Sequence, residues 1–291
     1  SAANRAMSYF SEYAAYREAI QGITMYETVK KWYEDFEEEY DNIVNGLKEA
    51  AKVIFEKQNM TISYTGKEEA PEFMKAEVES FIEGLYEDQK QEKVKVTCTK
   101  SNEGFATAGG VQYVACAGNF KDAGLEYTGA LKVLQMIFSY EYLWIQIRVK
   151  GGAYGCMCSF SDQGDSMFVT YRDPNLSESY KVYDEAADYV ADFDADDRDM
   201  KKYIIGTIGS MDMPMEAVDM GARSFHAYFL GKTEADLQKV RDQVLSCTQE
   251  DIRALAPIVK AVVEAGNRCC IGNEEKIDQN KEYFDEVKHV L

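Results

Sequence analysis

The residues best suited to chemistry in this chain lie in one short stretch, Arg148–Gly155, which reads RVKGGAYG. A guanidinium stays charged and donates hydrogen bonds in a fixed fork, so Arg148 could hold a peptide carbonyl or a carboxylate. Tyr154 adds a phenol, which is a further hydrogen-bond donor. Gly151 and Gly152 allow backbone angles that a Cβ forbids, so the chain can turn sharply between the two polar side chains and approach another backbone closely.

The stretch lies where a helix pattern changes to a strand pattern. Upstream, apolar residues recur at steps of three and four, the period of a helix with one buried face: Tyr127, Ala130, Leu131, Leu134, Ile137 and Phe138. Downstream, larger residues alternate with smaller ones, the period of a strand: Tyr154, Cys156, Cys158 and Phe160. We therefore expect the turn to place Arg148 and Tyr154 at the same end of a sheet.

This stretch, followed by Tyr171-Arg172-Asp173-Pro174-Asn175, closely resembles the last domain of the M16 zinc metallopeptidases, in particular their presequence-protease branch. In that family two halves close like a clamshell, and the zinc motif HxxEH lies in the first half. The resemblance implies that Arg148 and Tyr154 are catalytic residues that reach across to hold a peptide substrate near the metal. It also implies that Gly151 and Gly152 shape the substrate-binding turn.

Zinc ligands are missing from the sequence itself. His226 and His289 are the two histidines, and neither HxxEH nor HExxH occurs. Cys156-x-Cys158 has no second Cys or His pair nearby, so we interpret these residues, and Cys269-Cys270, as buried strand thiols. The resemblance thus implies a chain with no metal site of its own. Zinc and a glutamate base would come from the N-terminal zinc-binding half of the full-length enzyme.

The candidate residues also have structural interpretations. Arg148 could be an ordinary solvated arginine after a helix, and alternation would make Tyr154 a core aromatic on one face with Phe160. In the family's mechanism, however, the phenol could donate to the oxygen that becomes an oxyanion when a zinc-bound water attacks. A phosphate loop at Gly151 and Gly152 is excluded, because the helix precedes these glycines instead of following them.

Composition excludes several classes of protein. The chain has 291 residues, 46% hydrophobic, with 4 prolines, which is enough for one large or two ordinary domains with a substantial core. A net charge of −19 opposes binding to a phosphate backbone, so we expect no nucleic-acid partner. No run of about 18 apolar residues could span a membrane. Seven cysteines without disulfide-framework spacing indicate free thiols, which favours a cytoplasmic location.

The run Glu87–Lys93 contains no apolar residue and predicts a linker. We expect residues 1–92 to be the C-terminal part of a preceding M16-like domain, and residues 93–291 to be the last M16-like domain, carrying Arg148 and Tyr154. Helical spacing from Val29 to Ile54 predicts one long amphipathic helix in the first part. The half-domain at the start indicates a chain that begins inside a larger protein.

Alternation predicts strands at Met60–Tyr64, Val94–Thr99 and Ala153–Phe160. An almost continuous apolar run predicts a strand buried on both sides at Val111–Ala117, and further strands are predicted at Met167–Tyr171 and Cys269–Ile271. Helices are predicted at Phe73–Leu85 and, with interruptions, from Leu176 onward. Pro174 is predicted to open a helix, Thr248 to cap one and Pro257 to break one. This order predicts an α+β fold, a mostly antiparallel mixed sheet with helices packed on one face, and the resemblance implies the M16 or LuxS-like metallohydrolase type.

We interpret the chain as the C-terminal, non-zinc-binding part of a zinc-dependent peptidase that hydrolyses peptides in a closed chamber, and we expect it to be inactive by itself. The alternative is a non-catalytic M16 relative that binds peptides or acts as a scaffold. The two hypotheses differ in whether HxxEH occurs upstream in the full protein. A free-standing module complete in these residues is disfavoured by the half-domain at the start.

Overall fold

The computed structural model describes residues 1–67, 72–88 and 95–290. The chain divides into two compact units. Unit 1 comprises Ser1–Tyr26, Val96–Asp212 and Leu237–Leu291, and unit 2 comprises Glu27–Lys95 and Met213–Asp236. The expected boundary between residues 92 and 93 lies outside the described residues, as does most of the expected linker. The assignment of residues 1–92 to a preceding domain therefore stays a prediction.

The described part of unit 1 is built on a six-stranded mixed sheet. Its strands are β1 (Glu103–Thr107), β2 (Tyr113–Asn119), β3 (Gly155–Phe160), β4 (Asp165–Tyr171), β5 (Asn267–Asn273) and β6 (Glu286–His289). They lie in the order β3-β4-β2-β5-β1-β6, so β3 and β6 form the edges. The pairs among β3, β4, β2 and β5 are antiparallel, whereas β1 runs parallel to β5 and β6. The predicted α+β class with a mostly antiparallel mixed sheet is confirmed.

The helices of both units account for most of the remaining described residues. They are α1 (Ala2–Ser8), α2 (Glu12–Gln21), α3 (Ile23–Glu34), α4 (Phe36–Ile54), α5 (Glu72–Glu83), α6 (Ala130–Tyr140), α7 (Ser177–Asp184), α8 (Ala186–Ala191), α9 (Asp197–Met211), α10 (Ala217–Phe229), α11 (Glu234–Leu245), α12 (Gln249–Arg253), α13 (Ala256–Glu264) and α14 (Glu274–Gln279). A π-helical segment, Trp144–Lys150, follows α6. Within the described ranges, no helix is both long and apolar enough to span a bilayer.

The main core of unit 1 lies between one face of the sheet and the helices α6, α7, α8 and α13. Phe168 of β4 is fully buried there, and its ring centroid lies 5.8 Å from that of Phe138 in α6 and 5.4 Å from that of Tyr183 in α7. Its neighbour Val169 belongs to the opposite face, as strand alternation requires. Full burial of a side chain such as Phe168 contributes about 1.5–3 kcal/mol relative to exposure.

Helix α1 covers part of the opposite face of the sheet. Ala2 and Ala6 of this helix pack in one buried cluster with Phe105 of β1 and with Ala115 and Ala117 of β2. The small side chains let the helix backbone approach the strands closely. Unit 1 therefore joins residues 1–26 to the sheet, a long-range arrangement that the sequence pattern did not indicate.

A buried carboxylate fastens α1 to the sheet. Glu103, the first residue of β1, accepts hydrogen bonds from Nη2 of Arg5 at 2.8 Å, from the hydroxyl of Tyr9 at 2.9 Å and from Nζ of Lys288 at 2.8 Å. Burial opposes ionisation of Glu103, but the hydrogen bonds and charges of Arg5 and Lys288 outweigh it. The pKa of Glu103 is consequently held below its ordinary value.

The helices of unit 2, together with α3, which begins in unit 1 and continues into unit 2, bury very little apolar surface. None of the residues of α3, α4, α5 and α10, all of which the structure describes, is buried. The large apolar side chains that they expose include Trp32, Tyr33, Phe36, Tyr40, Leu47, Phe73, Phe81, Tyr228 and Phe229. Exposed apolar surface on this scale marks an interaction site in soluble proteins.

Several predictions for the first hundred residues are wrong. The long helix expected from Val29 to Ile54 is two helices, because Asp35 adopts non-helical angles (φ −107°, ψ 28°). Three glutamates follow Asp35 in the first turn of α4, where negative charge favours a new helix start. Residues 60–64 and 95–99 form no strand, since alternation gives a strand only where a neighbouring strand supplies hydrogen bonds. Val94 lies outside the described residues.

The predictions for the following residues are partly confirmed. The hairpin of β3 and β4 and the helix α5 are confirmed, and Thr248 caps α12 in a capping box with Asp251. Pro257 lies in the first turn of α13, after α12 has ended. Pro174 does not open a helix, because α7 begins at Ser177. Cys269–Ile271 lies within β5, but β6 follows it, and both β1 and β6 were missed.

The buried position of Glu103 generates a stability prediction. Glu103→Gln removes the buried anion that Arg5 and Lys288 share, and breaking a buried ion pair typically costs about 3–5 kcal/mol. The remaining partners are Glu18, 3.7 Å from Arg5, and Glu286, 3.3 Å from Lys288. Because the folded pKa of Glu103 lies below its unfolded value, its contribution is complete above about pH 5 and is lost as the pH falls through the folded pKa. Urea unfolding of unit 1 from pH 7 to pH 3 should therefore show the wild-type advantage shrinking with acid.

Glu264→Gln is the matched control for this measurement. Glu264 is exposed in α13, 3.7 Å from Lys260, so its loss should change the free energy of unfolding by less than about 0.5 kcal/mol. Equal effects of the two substitutions at pH 7 would contradict the anchoring role of Glu103.

Candidate functional site

The structure brings Arg148 and Tyr154 together at one end of the edge strand β3, as the sequence predicted. Arg148 lies in the π-helical segment, and Tyr154 immediately precedes β3. Nη1 of Arg148 donates a hydrogen bond to the backbone carbonyl oxygen of Tyr154 at 2.6 Å. The guanidinium therefore braces the turn that separates the two residues.

A second interaction orients the guanidinium. Its central carbon lies 4.3 Å from the ring centroid of Trp144 and 5.6 Å from that of Tyr154. Such cation–π contacts contribute about 0.5–1 kcal/mol at exposed sites. Arg148 is half-buried and held by these contacts, and its Nε and Nη2 make no hydrogen bond to described residues. Arg148 is thus held in place and has N–H groups that can donate hydrogen bonds to a ligand.

The side chain of Tyr154 is 64% exposed, so it does not occupy the core. Its ring packs edge-to-face on Tyr171 at a centroid distance of 5.8 Å, and Tyr171 packs in the same way on Tyr113 at 5.6 Å. Cys158 and Phe160 are buried, as alternation predicted, but Tyr154 lies before the first residue of the strand and escapes the pattern. Within the described part of the chain, its hydroxyl has no hydrogen-bond partner.

The two glycines are required by the backbone. Gly152 has φ +80°, a left-handed conformation that other residues rarely adopt. A Cβ on Gly151 would lie 2.6 Å from the carbonyl oxygen of Ile147 and 3.1 Å from that of Gln146. The amide of Gly151 donates to the carbonyl oxygen of Gln146 at 3.1 Å, which closes the wide π-helical turn. Their part in substrate binding stays a prediction.

Sequence reasoning missed the residues that hold this turn from the other side. Nδ2 of Asn175 donates to the carbonyl oxygen of Gly151 at 2.6 Å. Asp173 is fully buried, and its carboxylate accepts from the amide of Asn175 at 2.9 Å and from Oγ of Ser179 at 2.6 Å. Burial raises the pKa of Asp173, and these hydrogen bonds offset only part of that effect. An Asp and an Asn directly after a strand signal such a turn.

The residues that the structure describes do not fit a zinc ion. Among the described residues, no group of three or more His, Cys, Asp or Glu side chains could hold a metal. His226 lies in α10 of unit 2, whereas His289 lies in β6 of unit 1, where Nδ1 is 3.4 Å from Glu274. Burial raises the pKa of Cys156 to about 11, which disfavours the thiolate that binds metals. All seven cysteines are free thiols.

Comparison with known sequences gives consistent matches. The sequence model described as "PreP C-terminal domain" matches residues 102–273. Protein HypA of Clostridium perfringens is 39% identical over 291 residues, which is 100% of this chain and 30% of HypA. Presequence protease 1 (chloroplastic/mitochondrial) of Arabidopsis thaliana is 28% identical over 280 residues, 94% of this chain and 26% of that protein. The chain thus spans less than a third of these relatives.

Among solved structures, the chain is similar to a peptidase M16 inactive domain from Pseudomonas fluorescens. The TM-score is 0.48 with 14% sequence identity, and the match covers 74% of this chain and 51% of that chain.

The close approach at Gly151 generates a second prediction. Gly151→Ala places a methyl group against two backbone carbonyl oxygens, which cannot move aside as the end of a flexible side chain could. The substitution should therefore destabilise unit 1 by about 1–3 kcal/mol. Gly110→Ala is the control, because its Cβ meets nothing within 4 Å. Thermal unfolding of both variants checks this, and equal melting temperatures would show that the turn around Gly151 is looser than described.

Proposed function

The chain belongs to the PreP C-terminal domain family, to which residues 102–273 match, and we propose that it forms the substrate-binding wall of a peptide-hydrolysing M16 enzyme. The observation that carries this proposal is the pair of fixed donors at the end of β3. Arg148 is braced by Trp144 and by the Tyr154 carbonyl, while the side chain of Tyr154 is exposed. The guanidinium of Arg148 lies 5.6 Å from the centroid of the Tyr154 ring, so the donors of the two side chains are close to each other.

These donors suit a peptide bond under attack. Nε and Nη2 of Arg148 can donate to a substrate carbonyl in the ground state, because a guanidinium keeps its charge at all physiological pH values. The phenol of Tyr154 can donate to an oxygen on which negative charge develops. Donors that are already oriented need no reorganisation at the moment of reaction, which makes them effective in stabilising a transition state.

The metal chemistry implied by the family belongs to another part of the protein in this proposal. The residues described here do not fit zinc, and the two relatives are more than three times as long as this chain. The zinc-binding N-terminal half of the same polypeptide would face Arg148 and Tyr154 across the chamber. Presequence protease 1 of Arabidopsis is described as chloroplastic/mitochondrial, so the expected cytoplasmic location stays a prediction.

The exposed surface of unit 2 supports a covalently linked partner. Helices α3, α4, α5 and α10 present large apolar side chains and bury none, so another surface is needed to cover them. We propose that the upstream part of the same protein covers this surface. The expected assignment of residues 1–92 to the end of a preceding M16-like domain belongs to the same proposal.

Single substitutions in the full-length protein test the donors. Tyr154→Phe removes one hydroxyl and keeps the ring, so kcat for peptide hydrolysis should fall by about 10²–10³ with little change in KM. Arg148→Ala should lower kcat and raise KM, since the guanidinium also holds the ground state. Tyr140→Phe, at another exposed tyrosine of unit 1, is the control and should leave turnover unchanged.

The opposite pattern would identify a structural tyrosine. If Tyr154→Phe keeps turnover within about twofold and lowers the melting temperature by several degrees, its hydroxyl stabilises the fold and the site assignment is wrong. A full-length protein that binds peptides through Arg148 but never cleaves them is the outcome that favours the non-catalytic alternative.

Hydrogen exchange tests the covered surface of unit 2. Amides of α4 should exchange slowly in the full-length protein and at least about tenfold faster in the 291-residue chain. The reason is that the free energy of local opening is lower when few buried contacts hold a helix. Strand β2, which is buried in unit 1, should exchange equally in both and serves as the internal control. Equal protection of α4 in the two proteins would overturn the need for a partner.

A further inference from the structure

The segment that carries Arg148 and Tyr154 is basic, although the protein is strongly acidic. The net charge of the chain is −19, yet residues 144–155 contain Arg148 and Lys150 and no acidic residue. The facing loop, residues 171–176, adds Arg172, and its single acid is Asp173. These two segments are locally cationic, and the nearest carboxylate that follows them is Glu178 in the first turn of α7.

Asp173 does not pair with these cations. It is fully buried, and its oxygens accept from the amide of Asn175 and from Oγ of Ser179. Lys150 reaches back along its own helix, where Nζ donates to Oε1 of Gln146 at 3.2 Å. Arg148 and Arg172 therefore remain the two guanidinium groups of these two segments with capacity to bind an anion.

Arg172 occupies an unusual backbone conformation. Its φ is +51°, in the left-handed region that residues other than Gly, Asn and Asp rarely adopt. The neighbouring pairings impose this angle: the amide of Tyr154 donates to the carbonyl oxygen of Arg172 at 3.3 Å, and Asp173 exchanges hydrogen bonds with Gln112 at 2.7 and 2.9 Å. Strained residues of this kind cluster at functional sites. An arginine here, where Gly or Asn would fit without strain, points to a use for its side chain.

The backbone pairing also sets the distance between Arg172 and Tyr154, the residue whose carbonyl oxygen holds Arg148. Arg172 stands opposite Tyr154 in the extension of the β3–β4 ladder, and hydrogen-bonded antiparallel partners have Cα atoms about 5.5 Å apart. The guanidinium of Arg148 is bonded to the carbonyl oxygen of the same Tyr154. Arg172 is exposed and makes no ion pair with any described residue. The backbone of Arg172 thus lies beside Tyr154, whose carbonyl oxygen holds the guanidinium of Arg148, so a ligand bound at Tyr154 has an arginine on each of the two neighbouring segments.

We propose that Arg172, together with Arg148, binds a carboxylate of the peptide substrate beside Tyr154. This inference rests on the proposed function and adds a substrate preference to it. Two guanidinium forks match a carboxylate better than a neutral carbonyl, because both of its oxygens accept charge-assisted hydrogen bonds. The carboxylate is that of the peptide's C-terminus or of an Asp or Glu side chain, and matched peptides separate these two sources.

The test uses the full-length protein and three fluorescein-labelled peptides of one neutral sequence. The first has a free C-terminal carboxylate, the second a C-terminal amide, and the third the amide with one internal Gln replaced by Glu. Stopped-flow anisotropy reads binding before any cleavage. The wild type should bind at least one carboxylate-bearing peptide about tenfold more tightly than the neutral amide. The peptide that gains affinity identifies the source of the carboxylate.

Three variants assign the preference to Arg172. Arg172→Asn removes the charge with a residue that tolerates the left-handed backbone, so it should abolish the preference without lowering the melting temperature. Arg172→Lys keeps the charge and should retain part of the preference. Lys260→Gln, which removes an exposed positive charge from α13, is the control for net charge and should leave the preference unchanged.

Equal affinities of the three peptides for the wild type would overturn this inference, as would a preference that survives Arg172→Asn. Arg148→Ala then distinguishes a failure of carboxylate recognition from a failure of the proposed peptide-binding function. If it weakens binding of all three peptides alike, the proposed peptide-binding function stands without carboxylate recognition. If it changes none of them, the proposed function fails as well.

Discussion

The position of the site depends on one aromatic cluster between α6 and the β3–β4 hairpin. Phe138 of α6 lies 6.5 Å from Phe160 of β3 and 5.8 Å from Phe168 of β4, measured between ring centroids, and Phe160 and Phe168 are 5.9 Å apart. Aromatic pairs at these distances stabilise beyond their buried area by about 0.5–1.5 kcal/mol each. The cluster fixes the helix against the edge of the sheet, and hence decides where the chain must turn to reach β3.

The turn that follows is held from both sides. Arg148 bonds to the carbonyl oxygen of Tyr154 within the turn, and Asn175 bonds to that of Gly151 from the loop after β4. The wide π-helical segment delivers Arg148 to this place, and π-helical turns often occur at functional sites. The segment that precedes β3 and the loop that follows β4 meet at the open end of the hairpin and share a single network. Such bracing keeps donors oriented without a bound ligand, which is the condition for useful electrostatic stabilisation.

Two buried carboxylates show how differently this protein uses negative charge. Glu103 has Arg5 and Lys288 as partners, so its pKa is lowered and it fastens α1 to the sheet. Asp173 has neutral donors, so burial dominates and its pKa is raised. Because Asp173 forms no ion pair with Arg148 or Arg172, the cations at this end of the sheet stay available to a ligand. The hydrogen-bond and ion-pair partners of these two carboxylates, more than the net charge of the protein, decide what the site can bind.

The sequence by itself determined the local features: the periods of α6 and β3, the apolar run of β2, the hairpin to β4, the glycine turn, and the placement of Arg148 and Tyr154 at one end of a strand. Each of these depends on neighbours within a few residues, which side-chain periodicity and backbone sterics report. The absence of HxxEH was equally plain from the sequence. The resemblance to M16 peptidases rested on the same local motif.

Only the tertiary structure decided the rest. Arg5 meets Glu103 across 98 positions of the chain, and Asn175 meets Gly151 across 24. Alternation in Met60–Tyr64 gave no strand because no neighbouring strand pairs with it in the described structure, whereas the unremarked residues of β1 pair with both β5 and β6. Whether a segment forms a strand, or a charge or phenol is buried, depends on the residues that pack against it. Those residues are brought there by the whole fold and are not neighbours in the sequence.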